Sequence, residues 1–176
     1  EMVVGHNWLK YDACVLERLY PGWQRPKKNI DTLILARITF PDMMAQDSIM
    51  EARGKLPAYY KGSHSLGAWG YRCGVLKGEY GKDAQKGDDI WANWSETMHQ
   101  YMLGDLAVTD ALLTHLRATG VPGMAAALEH EASETVSTIE RDGIPFDVKA
   151  GQALELRIRE GLLGAEMQLQ DAMGLV

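Results

Sequence analysis

The chain has 176 residues, of which 46% are hydrophobic, so it can build a domain core and does not have a disordered composition. It contains no run of about 18 apolar residues, as a membrane span would require, and its N-terminus lacks a signal-peptide pattern. Cys14 and Cys73 show no C-x-x-C spacing, so neither a disulfide framework nor a zinc site is supported. We expect a soluble protein of a reducing cytoplasm, with no membrane partner.

The net charge of -6 is unevenly distributed along the chain. Residues 1–86 carry 13 Lys/Arg and 9 Asp/Glu, whereas residues 87–176 carry 5 and 15. The basic side chains of the first part are spaced in a way that could follow a phosphate backbone, but an ordinary solvated surface explains them equally well. Charge alone therefore leaves binding to nucleic acid open.

The first residues have a pattern typical of a strand, a turn and a helix. Residues 2–4 form a short apolar run that Gly5 ends, and Asn7 is a favourable N-cap for a helix over about residues 8–20. The Pro-Gly pair at residues 21–22 ends this helix.

A second short strand is expected at Ile30, with Asp31 or Thr32 as the N-cap of the helix that follows. Residues 39–61 show little periodicity, and we expect an irregular segment with one helical piece near residues 47–53.

Ser63 is the predicted N-cap of a further helix, which Gly74 ends. The interior glycines Gly67 and Gly70 weaken this helix, so close packing is expected to maintain it. A polar loop is predicted over residues 78–89.

The second half of the chain is predicted to be helical. Ser95 caps a long helix that ends near Ala118, and the Gly-Val-Pro-Gly sequence at residues 120–123 is the best linker signal. A helix over residues 124–141 follows, and Asp147 caps a final amphipathic helix.

Two aspartates occupy positions where folding alone would not place them. Asp12 lies at helical spacing with Trp8, Val15, Leu16 and Leu19, and Asp105 is the only charge on a stripe that includes Tyr101. A carboxylate that faces a core is costly unless it is paired or holds a metal.

Either aspartate could instead accept ordinary hydrogen bonds or pair with a cation at the edge of the core. Hard cations such as Mg²⁺ prefer carboxylate oxygens, but a two-metal site needs several carboxylates that converge from separate elements. Tyr101, one turn before Asp105, could hydrogen-bond an attacking water, although a tyrosine on such a stripe more often only packs.

An ordered set of motifs gives the chain a family resemblance. The sequence resembles the proofreading 3'-to-5' exonuclease domain of family A DNA polymerases, in the form found in T-odd podophages. The motifs that carry the resemblance are NWLKYD at 7–12, IDTL at 30–33, GSHSLGAWGYR at 62–72, KGEY at 77–80, YMLGD at 101–105, DLAVT at 105–109 and ERDGIPFD at 140–147.

The resemblance implies an α/β, ribonuclease H-like exonuclease fold with two Mg²⁺ or Mn²⁺ ions, which hydrolyses the 3' end of single-stranded DNA. It implies that Asp12 and Asp105 are catalytic metal ligands, that Tyr101 orients the water, and that His6 and Asn7 contact the terminal nucleotide. Primer-template DNA and a processivity factor would be partners of the parent protein, in the host cytoplasm of a phage.

The family's first motif, an Asp-x-Glu that supplies two further carboxylates, is not found in this sequence. We therefore expect residues 1–120 to be an exonuclease domain that lacks its first strands, and residues 121–176 to be the helical start of the polymerase region. The observed chain would be mostly α-helical with one or two short strands, poorly stable and inactive in isolation.

Two other interpretations remain open from the sequence. The chain could be a catalytically incomplete remnant that binds DNA or serves as a scaffold without nuclease activity. It could also be an unrelated helical interaction module, which explains the two aspartate stripes poorly.

Overall fold

A computed structural model describes residues 1–78, 80 and 90–174 of the chain. Two compact units are distinguished along the chain, residues 1–138 and residues 139–176. The predicted domain boundary near Gly120 stays a prediction. Most of the predicted polar loop lies outside the described residues.

Helices dominate the described part of the chain, and two short strands accompany them. The elements are β1 (Met2–Gly5), α1 (Asp12–Leu19), β2 (Lys28–Asp31), α2 (Thr32–Thr39), α3 (Met44–Ala52), α4 (Leu66–Cys73), α5 (Glu96–Thr119), α6 (Gly123–Asp142) and α7 (Val148–Met173), with a 3₁₀ turn at Ala58–Tyr60. This composition confirms the expectation of a mostly helical chain with one or two strands. The ribonuclease H-like arrangement stays a prediction.

The two strands pair in parallel, and α1 lies in the connection between them. Met2 is paired with Lys28 and Gly5 with Asp31, so both strands end at the same edge. Residues that directly follow parallel strands meet at that edge, which is where open α/β sheets place ligand-binding groups. His6 and Asn7 follow β1 and therefore lie beside the end of β2.

The predicted start of the first helix is wrong. Helix α1 begins at Asp12, its N-cap position is Tyr11, and no side chain caps it. Asn7 instead has a left-handed backbone, with φ of 61°. The backbone N–H groups of Asn7 and Leu9 both donate to the carboxylate of Asp31. These long-range hydrogen bonds hold the segment against β2, and the helix starts only after it.

The other predicted caps depend on contacts within one helical turn and are mostly confirmed. The side chains of Asp31, Ser95 and Asp147 each accept a hydrogen bond from a backbone N–H in the first turn of the helix that follows. Ser65, not Ser63, caps α4. The hydroxyl of Ser63 lies 3.1 Å from that of Ser65, in the turn before the helix.

The irregular segment predicted over residues 39–61 contains one helical piece, as expected. Helix α3, Met44–Ala52, begins three residues before the predicted start at residue 47.

The described part of unit 1 contains two clusters of buried apolar side chains. The larger cluster joins α2, α4 and α5 around Trp69, and the smaller one lies under the segment before α1. The buried members of the larger cluster are Leu35, Ala36, Met43, Trp69, Val108, Leu112 and Leu116. The buried members of the smaller cluster are Trp8, Leu9 and Ala13.

Both interior glycines of α4 are closely packed, as expected. A Cβ atom at Gly70 would lie 2.8 Å from the carbonyl oxygen of Val75. A Cβ atom at Gly67 would meet the phenol group of Tyr60. Glycine therefore brings α4 close to its neighbours, which offsets its poor helix propensity.

The Gly70→Ala substitution should destabilise unit 1, because the obstructing atom is backbone and cannot rotate away. We expect a loss of about 1–3 kcal/mol in the free energy of unfolding, measured with urea. Gly123→Ala is the matched control, because a Cβ atom there meets nothing within 4 Å. Equal stability of the two variants would contradict this account.

Asp47 and Arg72 form a buried ion pair between α3 and α4. Arg72 donates from Nη2 to Oδ2 of Asp47 at 2.6 Å and from Nε to Oδ1 at 3.0 Å. The side chains of Arg72 and Asp47 are only 3% and 0% exposed. The Gly62 N–H adds a third hydrogen bond to the carboxylate. Burial by itself would raise the pKa of Asp47, but these donors hold it below its ordinary value.

The lowered pKa of Asp47 makes the stability of unit 1 depend on pH. The unfolded chain binds a proton at Asp47 more tightly than the folded chain does. The contribution of the ionised Asp47 to the free energy of unfolding is therefore complete above the ordinary carboxyl pKa of about 4. It is lost as the pH falls through the folded-state pKa. An NMR titration of the Asp47 carboxyl carbon should have its midpoint below about 3.9. A midpoint at or above that value would contradict the prediction.

Candidate active site

The carboxylate of Asp31 organises the edge where β1 and β2 end. Asp31 is 2% exposed, and its oxygens accept hydrogen bonds from the backbone N–H groups of Asn7, Leu9 and Leu33, at 2.9, 3.1 and 3.0 Å. Three backbone donors compensate the cost of burying this charge. His130 accepts a hydrogen bond from the Asp31 N–H at the same strand end.

His6 lies at this edge with both ring nitrogens engaged inside the protein. Nδ1 is 3.0 Å from the hydroxyl of Thr32, and Nε2 is 3.0 Å from the carbonyl oxygen of His64. Burial lowers the pKa of His6, and the negative charge of Asp31 only partly opposes this. The lowered pKa therefore favours the neutral ring at pH 7. Any contact of His6 with a nucleotide would use a ring whose nitrogens are already occupied.

Asp12 is the first residue of α1 and lies on its exposed side, so its predicted place on a buried stripe is wrong. Val15 and Leu19, on the same predicted stripe, are 39% and 64% exposed, whereas Ala13 is fully buried. Helix α1 starts later than predicted, so the face of α1 that packs against the smaller cluster is not the predicted stripe. Partial burial of the carboxyl still raises the pKa of Asp12, and the charge of Asp31 raises it further.

Tyr101 and Asp105 lie one turn apart on α5 and share a lysine from the segment after α4. Nζ of Lys77 donates to the Tyr101 hydroxyl at 2.6 Å and lies 3.0 Å from Oδ1 of Asp105. It also lies 4.6 Å from the centre of the Tyr101 ring. Burial opposes the charge on Lys77, but the contacts with Tyr101 and Asp105 raise its pKa overall.

An aromatic group surrounds Tyr101. Its ring centre lies 5.9 Å from that of Tyr80 and 6.5 Å from that of Trp91. Tyr101 and Lys77 also line a cavity of about 290 Å³. Both residues of this hydrogen-bonded pair therefore border the cavity.

Comparison with known proteins identifies the chain's relatives. Over 192 aligned residues, the chain is 33% identical to the DNA-directed DNA polymerase of Escherichia phage T7, and equally to that of Enterobacteria phage T3. The chain is homologous to a segment of the T-odd phage DNA polymerases. The alignment covers 89% of the chain and 27% of each polymerase, so the chain spans about a quarter of their length. No family model matches the chain.

The structure arranges the predicted site residues of the chain in two groups. His6, Asn7 and Asp12 lie near Asp31, whereas Tyr101 and Asp105 share Lys77. Across residues 1–78, 80 and 90–174, no group of three or more His, Cys, Asp or Glu residues could hold a metal ion. The roles of the five predicted residues stay predictions.

The sequence did not reveal which groups Asp31 and Lys77 contact in the folded chain. Asp31 was expected as a helix cap and as part of a motif, and Lys77 as part of a motif and of the basic half. Their contacts with Asn7 and Tyr101 join residues 24 positions apart. Lys77 could have been singled out because it begins one of the family motifs, but no spacing rule predicts its partners.

Among the helices that the structure describes, none is long and apolar enough to cross a membrane.

Proposed function

We propose that the chain is part of the proofreading 3'-to-5' exonuclease of a phage-type DNA polymerase, with a ribonuclease H-like fold in the intact domain. The parent protein would act on primer-template DNA in the host cytoplasm and hydrolyse mismatched 3'-terminal nucleotides. The observation that carries this proposal is the Tyr101–Asp105 pair, set side by side on α5 in a chain homologous to T7 and T3 DNA polymerases.

Asp12 and Asp105 would be the residues of this chain that hold Mg²⁺ or Mn²⁺. Their carboxylate oxygens are the donors that such ions prefer. Asp12 is exposed, and Asp105 has 31% of its side chain exposed, so both are within reach of an ion from solvent. When bound, two ions would activate a water and stabilise the leaving oxygen.

Tyr101 and Asn7 would position the substrate. The hydroxyl of Tyr101 would orient the attacking water by a hydrogen bond. The partly exposed side chain of Asn7, at the ends of β1 and β2, would contact the terminal nucleotide. His6 would support this edge through its hydrogen bonds and would contact the nucleotide with its ring. A processivity factor would be a further partner of the parent polymerase.

A nuclease assay on the protein expressed from its complete reading frame tests the proposal. With Mn²⁺, the protein should release mononucleotides from a 3'-labelled single-stranded oligonucleotide, and EDTA should stop the release. A duplex with a mismatched 3' end should be degraded faster than a matched one. Degradation only from the 5' end, or no degradation with either Mg²⁺ or Mn²⁺, would reject the proposal.

We propose as a second candidate function that the 176-residue chain by itself is not a nuclease, because it contains only two of the four carboxylates that the family site needs. Its basic first half would then bind DNA without hydrolysing it. The isolated chain should bind single-stranded DNA more weakly as salt increases and should release no mononucleotides. Metal-dependent release by the isolated chain, abolished by Asp105→Ala, would contradict this second interpretation.

A further inference from the structure

Lys77 is the contact that Tyr101 and Asp105 have in common. Its ammonium group reaches the phenol oxygen of Tyr101 at 2.6 Å and Oδ1 of Asp105 at 3.0 Å. Its side chain is 25% exposed, so most of the side chain is withdrawn from solvent. One cation therefore contacts both side chains of α5 that the proposed nuclease would use.

The direction of these contacts decides which atoms remain available. An ammonium group can only donate, so the phenol oxygen of Tyr101 is the acceptor and its own O–H is free to donate to another group. At Asp105, the oxygen nearest Lys77 is the buried Oδ1. The exposed surface of the Asp105 side chain therefore belongs to its other atoms. Oδ2 is the carboxylate oxygen that a ligand from solvent could reach.

The backbone at Lys77 is held against α5 by a close approach at Gly104. A Cβ atom at Gly104 would lie 3.3 Å from the N atom of Gly78 and 3.6 Å from Cα of Lys77. Gly104 lies directly before Asp105 on the same helix. The absence of a side chain there lets the Lys77 segment lie next to both of its partners.

We propose that Lys77 is a positioning residue that fixes the Tyr101 hydroxyl and the Asp105 carboxylate in one arrangement. These contacts leave the Tyr101 O–H and Oδ2 of Asp105 available to other groups. The expected effect of Lys77 on the rate of nucleotide release rests on the proposed nuclease function. The positioning of Tyr101 itself can be measured independently of activity.

The first test is structural and uses the protein expressed from its complete reading frame with 3-fluorotyrosine. The Tyr101→Phe variant assigns the ¹⁹F resonance of Tyr101. Lys77→Met should shift that resonance, whereas Lys55→Met, at an exposed lysine, should leave it unchanged. Thermal midpoints close to that of the unsubstituted protein show that both variants fold. An unchanged Tyr101 resonance in folded Lys77→Met would overturn the proposal.

The second test is kinetic. Lys77→Met should lower kcat for release of the 3' nucleotide by about 10- to 100-fold with KM within twofold, because the misplaced groups act on the reacting centre. Lys77→Arg, which keeps the cation, should recover part of the loss. In a Tyr101→Phe background, Lys77→Met should lower kcat by a smaller factor than in the unsubstituted protein, because only its effect on Asp105 remains. Full additivity of the two losses would overturn the proposal.

The two tests separate the failure of this inference from that of the proposed function. If the unsubstituted protein releases no nucleotides, the proposed function is rejected, and the ¹⁹F shift still decides whether Lys77 positions Tyr101. If the unsubstituted protein is active and the ¹⁹F resonance does not move, only the role of Lys77 is rejected.

Discussion

Asp105→Ala is expected to lower metal-dependent release of 3'-terminal nucleotides by at least about 100-fold, in the protein expressed from its complete reading frame. The proposed ligand oxygens stabilise developing charge by several kcal/mol through the bound ions, and each 1.36 kcal/mol corresponds to about a tenfold change in rate. The measurement is the initial rate of mononucleotide release from a 3'-labelled oligonucleotide with Mn²⁺.

Asp110→Ala is the matched control, because it removes an exposed aspartate from the same helix. Its rate should stay within about twofold of the unsubstituted protein, since a surface substitution of this kind has little effect. Thermal unfolding of both variants shows whether the helix is maintained. If the Asp105→Ala protein folds and is as active as Asp110→Ala, Asp105 is not a ligand of the proposed metal site.

Asp47→Asn should be among the most destabilising single substitutions in unit 1. It leaves the Arg72 guanidinium buried at 3% exposure without its anionic partner, and an unpaired buried charge costs about 3–5 kcal/mol. The free energy of unfolding, measured with urea at pH 7, should fall by this amount. The loss should be smaller at pH 3, below the ordinary carboxyl pKa, because protonation of Asp47 in the unfolded chain already reduces the stability of the unsubstituted protein.

Glu51→Gln provides the control for Asp47→Asn, because it removes an ion pair that solvent reaches. Glu51 lies 2.8 Å from Lys61, with the side chains 37% and 28% exposed. Such a pair contributes at most about 1 kcal/mol. If both variants lost the same stability, burial would not be the reason for the strength of the Asp47–Arg72 pair.

The helix caps illustrate what could be predicted locally. Ser95 and Asp147 each bond to an N–H three residues later, so the sequence around each one is sufficient to predict the contact. The same holds for Asp31 and the start of α2. The error at Ser63 was only two residues, since two serines compete for the same helix end.

The start of α1 shows where local prediction failed. Asn7 is a good N-cap by residue type, but its backbone N–H bonds to Asp31, 24 residues later, and the chain turns there instead of entering a helix. As a result Asp12 is exposed, although the periodicity of the predicted helix had placed it on an apolar stripe. The helical period is reliable only from the residue where the helix begins.

The amino-acid sequence by itself determined the order of the main helices and strands, most of their caps and the family motifs, because these depend on residue types close together in the chain. Only the tertiary structure decided that Asp31 accepts hydrogen bonds from the backbone N–H groups of Asn7 and Leu9, that Asp47 and Arg72 are buried together, and that Lys77 joins Tyr101 to Asp105. These contacts link residues more than 20 positions apart, and their partners are selected by how α4 and α5 pack and by where β1 and β2 end.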